Sequence, residues 1–220
     1  MIYGIIVYSI ITGLFLLIQN GFKGNKLSKG IKYGLLLSII WMVYLLEPLP
    51  HAKSFLSDNF AYIIADGLSL LILGILASYL LFDTNKTIKK DISFKLNDYF
   101  IIIFISIIFV LGRLVLYNFL DIYSCFESNT VITMLWCILV GIVVTTVILI
   151  LIKKSNLKRG LLIFIINLVL FNGFMVLFFD MSHLPLGWYD LLFRTLIDII
   201  SISLGMILSS QMDITKKLKS

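Results

Sequence analysis

Seven nearly uninterrupted apolar blocks, at residues 2–19, 31–48, 60–82, 99–120, 131–152, 161–180 and 188–210, take up most of this sequence. At about 1.5 Å per helical residue, a block of roughly 20 residues crosses a hydrocarbon core of about 30 Å. Inside hydrocarbon each backbone amide must be satisfied within its own segment, and no alternating strand pattern is present, so all seven blocks are predicted to be helices. The composition agrees, since only 14% of the 220 residues are charged and the mean hydropathy is +1.06, whereas a soluble domain is about 25% charged. The expected fold class is therefore an all-α integral membrane protein, one polytopic domain over residues 1–220 with seven transmembrane helices. The first block has no basic region before it and no small-residue cleavage pattern after it, so it is expected to be a retained span and not a signal peptide.

The basic residues assign the two faces. Lys23, Lys26, Lys29 and Lys32 follow the first block, and Lys86, Lys89, Lys90 and Lys95 follow the third. Lys153, Lys154, Lys158 and Arg159 follow the fifth, and Lys216, Lys217 and Lys219 end the chain. Of the 18 basic residues 15 thus fall on one side, which the positive-inside rule makes cytoplasmic. The N-terminus is expected outside and the C-terminus inside, in the cell membrane. The net charge of +6 is then explained by topology and by contact with anionic inner-leaflet lipid, without a nucleic-acid partner.

A polar pattern occurs twice. His51, Asp58, Asp66, Ser69 and Ser78 correspond to His183, Asp190, Asp198, Ser201 and Ser210 at an offset of 132. Lys23, Leu27, Lys29 and Gly30 correspond to Lys153, Leu157, Arg159 and Gly160 at an offset of 130. The expected organisation is two parallel three-helix repeats, residues 1–82 and 131–211, joined by a linker helix over 98–120. This 3+1+3 topology with an outside N-terminus resembles that of the PQ-loop carriers, which include the SWEET sugar transporters. Those carriers have a Pro–Gln pair in each repeat; here Pro48, Pro50 and Pro185 are none of them followed by Gln. The resemblance therefore implies a topology and a carrier design, and carries over no site residue.

Ionisable groups are expensive in hydrocarbon unless paired or hydrated, so each one inside a block is a candidate for function. From the block limits, Asp66 lies about 9 Å and Asp198 about 15 Å from the outer edge, and Arg113 about 22 Å from the cytoplasmic end. Glu47, His51, Asp180 and His183 fall at or just beyond the outer ends of the second and sixth blocks. All converge on an outer polar zone. Asp190, Arg194 and Asp198 recur every four residues, so Arg194 is expected to bond both acids along one helix face. The other copy has Asp58, Tyr62 and Asp66 and lacks the arginine, which predicts that Asp66 takes Arg113 as its partner. The candidate ligand-binding set is Asp66, Arg113, Arg194, Asp198, Glu47, His51 and His183.

Other features have plainer readings. His51 and His183 are expected to cap outer turns, since no close-spaced pair of zinc ligands exists and no metal or other cofactor is implied. Cys125 and Cys137 make no disulfide framework. Trp41, Trp136 and Trp188, with Tyr3, Tyr62, Tyr117, Tyr123 and Tyr189, suit interfacial belts. Gly67, Gly74, Gly141 and Gly205 suit close helix contacts, and Asn167 and Asn172 interhelical hydrogen bonds. There is no phosphate-cradling glycine loop, no GxSxG elbow, and no lysine in the last block to hold a retinal Schiff base. The leading expectation is a carrier or binding protein for a small polar solute or ion. A non-transporting accessory, immunity or assembly protein with structural ion pairs is the alternative, and an enzyme acting on outer-leaflet lipid the third reading.

Overall fold

A computed structural model of the chain describes residues 2–50, 57–81, 93–154 and 187–217. The described residues form α1 (Ile2–Ile18), a 3-10 turn (Gln19–Gly21), α2 (Lys26–Leu45), α3 (Ser57–Leu81), α4 (Leu96–Phe119), α5 (Thr130–Lys154) and α6 (Gly187–Lys217), with no strand among them. Four of these helices have a stretch long and apolar enough to cross a membrane, at Ile63–Leu81, Leu96–Phe119, Thr130–Lys153 and Gly187–Ser209. Ile5–Gly21 is a shorter apolar helix. The sixth predicted block, 161–180, lies outside the described residues, as do His51, Asp180, His183, Asn167 and Asn172.

The helix ends follow local chemistry. Asn25 caps α2, its side-chain oxygen accepting the Ser28 N–H at 2.9 Å. The Asp98 carboxylate folds back to accept the Lys95 N–H at 2.7 Å at the start of α4. α2 stops at Leu45, earlier than the block limit of 48, because Pro48 and Pro50 follow and the residue before a proline is driven out of the helical region. Asp121, just past α4, has φ of 47°, a left-handed conformation that a short polar side chain tolerates.

Small residues decide how closely the helices approach. α2 lies against α3 at Gly30, Gly34 and Gly74: a Cβ built on Gly74 falls 2.6 Å from backbone atoms of Gly34, and one on Gly34 falls 2.8 Å from Leu71 backbone. The expected contact role of Gly67, Gly74, Gly141 and Gly205 is met, against Met42, Gly34, Ser106 and Ile105 respectively. Ser38 adds a polar tie, its hydroxyl lying 2.8 Å from the Gly34 and 2.6 Å from the Gly67 carbonyl oxygen. Tyr33 donates to the Ile11 carbonyl at 2.5 Å and so fastens α1. α4 packs on α5 and α6, and α2 meets α5.

The bundle is inverted relative to a water-soluble one in what it leaves outside. In α4, Phe100, Ile103, Ile107, Leu111 and Val115 are exposed, while Ile102, Ile105, Phe109, Arg113 and Leu116 are buried. An exposed apolar stripe along a helix whose inner face holds an arginine is stable only when lipid covers the outside.

Candidate functional site

The charged residues gather at one end of the bundle, where α2 and α4 finish and α5 and α6 begin. Glu47 follows the last turn of α2, Arg113 lies two turns before the end of α4, and Asp190, Arg194 and Asp198 occupy successive turns of α6. Each of these five residues is at most 2% exposed. A single Glu47 oxygen, Oε1, accepts from Arg113 Nη1 at 3.2 Å and from Arg194 Nη1. Asp198 Oδ2 accepts from Arg113 Nη2 at 2.5 Å and from the Tyr44 hydroxyl, which in turn lies 2.5 Å from Arg113 Nη2. Arg194 Nε donates to Asp190 Oδ1 at 2.9 Å and its Nη2 to the Tyr123 carbonyl at 2.8 Å. The Tyr123 N–H closes the ring onto Asp190 Oδ2 at 2.5 Å.

Aromatic rings insulate this network. The Arg113 guanidinium carbon is 5.0 Å from the Trp136 ring centroid, 5.5 Å from Tyr44 and 5.6 Å from Phe109, within cation–π range of all three. The Trp136 indole N–H donates to the Val43 carbonyl at 2.9 Å, which fixes that ring beside the arginine. Three carboxyls meet two guanidiniums here, and Glu47 Oε2 and Asp198 Oδ1 are without a hydrogen-bond partner among the described residues.

These contacts revise the expected pairing. Arg194 does bond Asp190, four residues earlier, but its second acid is Glu47 and not Asp198. Arg113 does not take Asp66; it takes Glu47 and Asp198. The reason is lateral placement: α4 lies against α6 and α5, so Arg113 points away from α3 even though the two are consecutive helices. Depth along the chain identified groups at one level without their direction around each helix. Tyr44 was missed because an isolated tyrosine in an apolar helix has no signal beyond its hydroxyl. Trp41, Trp136 and Tyr117 are buried, at 1%, 4% and 8% exposure, and do not form an interfacial belt; Trp188 is exposed as expected.

Asp66 stands apart. With Tyr8, Trp41, Ser69, Leu70 and Leu73 it lines a cavity of about 300 Å³ between α1, α2 and α3. The Tyr8 and Trp41 rings stack with centroids 6.2 Å apart and planes 19° from parallel. Tyr8 and Ser69 are exposed, so the cavity opens at their edge of the bundle. Among the described residues no cationic side chain pairs with Asp66, and no three His, Cys, Asp or Glu side chains form a group able to hold a metal ion.

The opposite end of α4 and α5 carries a contrasting bridge. Lys153 Nζ is 2.7 Å from Asp98 Oδ2 and 4.7 Å from the Phe94 ring centroid, and both ionic side chains keep contact with the surroundings, at 28% and 14% exposure. Cys125 and Cys137 are free thiols, the latter 3.7 Å from the Tyr117 hydroxyl.

Fold and surface together define a multi-pass helical membrane protein. The chain matches no family model, no curated protein and no solved structure with which it was compared.

Proposed function

We propose that this protein binds a small polar solute at the Asp66 cavity, as a carrier or membrane binding protein, and that the Arg113 network holds the helices in place around it. The observation that supports this reading is the division of the charged residues into two kinds. Arg113, Arg194, Asp198 and Glu47 are ion-paired with one another in a site closed by aromatic rings. Asp66 faces a cavity of about 300 Å³ without an ionic partner among the described residues. That volume is at the small end of ligand pockets, about 300–1,000 Å³, and a carboxylate at membrane depth is retained where it meets a ligand, water or a counter-charge.

Thermal shift of the purified protein in detergent tests this against a panel of inorganic cations, organic amines, sugars and amino acids. At least one solute should raise the Tm, and Asp66→Asn should remove the rise. Absence of a shift with every soluble ligand would count against binding. It would favour the second reading, a non-transporting accessory membrane protein, for which the closed ion-pair network speaks directly.

A further inference from the structure

We infer that the Asp66 cavity takes an organic ammonium ion, a cation whose charged nitrogen carries alkyl groups; this rests on the solute-binding reading above and narrows it. Three properties of the lining point to that class. First, among the described residues its lining has one carboxylate, which supplies a single negative charge, and no cationic side chain neutralises it. A ligand that satisfies Asp66 therefore carries positive charge.

Second, the oxygen supply is too thin for a bare metal ion. Apart from the Asp66 carboxylate, the described side chains on the wall offer only the Ser69 and Tyr8 hydroxyls, and the Ser69 hydroxyl already donates to the Ala65 carbonyl at 2.9 Å. Hard cations such as calcium collect about 6–8 oxygen ligands. Third, the rest of the wall is made for a cation with an apolar coat. Tyr8 presents an accessible π-system, which attracts alkylammonium groups through the ring quadrupole, Trp41 backs it from the buried side, and Leu73, with Leu70 behind it, receives the alkyl carbons. Trp41 is also buried by its neighbours and stacked on Tyr8, so the aromatic wall is preformed.

Titration calorimetry of the full chain in detergent, with thermal shift as a second readout, tests the assignment using tetramethylammonium chloride beside sodium chloride, potassium chloride and glucose. Tetramethylammonium should bind in preference to the other three, and Asp66→Asn should abolish binding. Tyr8 sits at the exposed rim, so Tyr8→Leu should fold normally and weaken tetramethylammonium binding about three- to tenfold. Trp41→Phe, which keeps a ring in place, should retain most of it. Sodium or potassium binding as tight as tetramethylammonium and unchanged by Tyr8→Leu would overturn the ammonium assignment while leaving a solute site at Asp66. Glucose binding that survives Asp66→Asn would overturn it as well. No binding of any of the four, with no thermal shift, would overturn it, and failure across the wider solute panel would remove the reading on which it rests.

Discussion

Arg113 Nη2 lies 2.5 Å from Asp198 Oδ2, joining α4 to α6 across 85 positions of sequence inside a site closed to solvent. Both side chains are essentially inaccessible, so the pair acts as a fastener whose halves are costly to separate.

Removing one half exposes that dependence. Arg113→Leu leaves Asp198 and Glu47 as buried acids facing only Tyr44 and Arg194, and is expected to destabilise the protein by about 3–5 kcal/mol. Arg113→Leu combined with Asp198→Leu removes both charges and should recover a substantial part of that loss. Chemical denaturation of the two variants in a common detergent checks the order.

Tyr44→Phe isolates the hydroxyl that bridges Arg113 and Asp198. The ring and its contact with the guanidinium remain, so the loss should stay near 1–3 kcal/mol, the range for leaving a buried polar group unmatched. A Tm fall smaller than that of Arg113→Leu, measured side by side, is the expected result.

Backbone contact between α2 and α3 has its own signature. Gly34→Ala and Gly74→Ala each force a methyl into facing backbone, and are expected to cost about 1–3 kcal/mol through overpacking. Gly13→Ala, where a Cβ meets nothing within 4 Å, should be neutral or slightly stabilising because alanine favours the helix. Thermal unfolding of the three variants separates these outcomes.

The Lys153–Asp98 bridge provides the opposite limit. It is 28% and 14% exposed, so Lys153→Met should change stability by less than about 1 kcal/mol. A double-mutant cycle with Asp98→Asn measures the coupling directly.

The helical fold was legible because apolar length is a strong signal: each predicted block with described residues contains a helix, and at α2 the limits shift where the Asn25 cap and Pro48 intervene. That Glu47, Arg113 and Asp198 lie at one level was also legible from depth, and the Asp190–Arg194 contact from their four-residue spacing. The other pairings were not. The linear pattern matches Arg113 to Asp66 because the helix of Asp66 carries no arginine and Arg113 lies at a suitable depth, while the actual partner lies on α6. Helix order around the bundle depends on contacts that join α4 to α6, such as Gly112 against Ser201, which has no mark in the linear pattern, and Gly205 against Ile105, where the glycine is marked but its partner is not. The close approach of α2 and α3 did have one, the four-residue spacing of Gly30 and Gly34, visible once the helix register is known.

The most direct test of the separation between a structural network and a binding cavity is a paired measurement of Tm, with and without bound cation, for Asp66→Asn and Arg113→Leu. Asp66→Asn is expected to keep the Tm of the unliganded parent or exceed it, and to lose the ligand-induced rise. Arg113→Leu is expected to unfold at a much lower temperature. A fall in Tm for Asp66→Asn as large as that for Arg113→Leu, or a ligand-induced rise that persists without the Asp66 carboxylate, would contradict that separation.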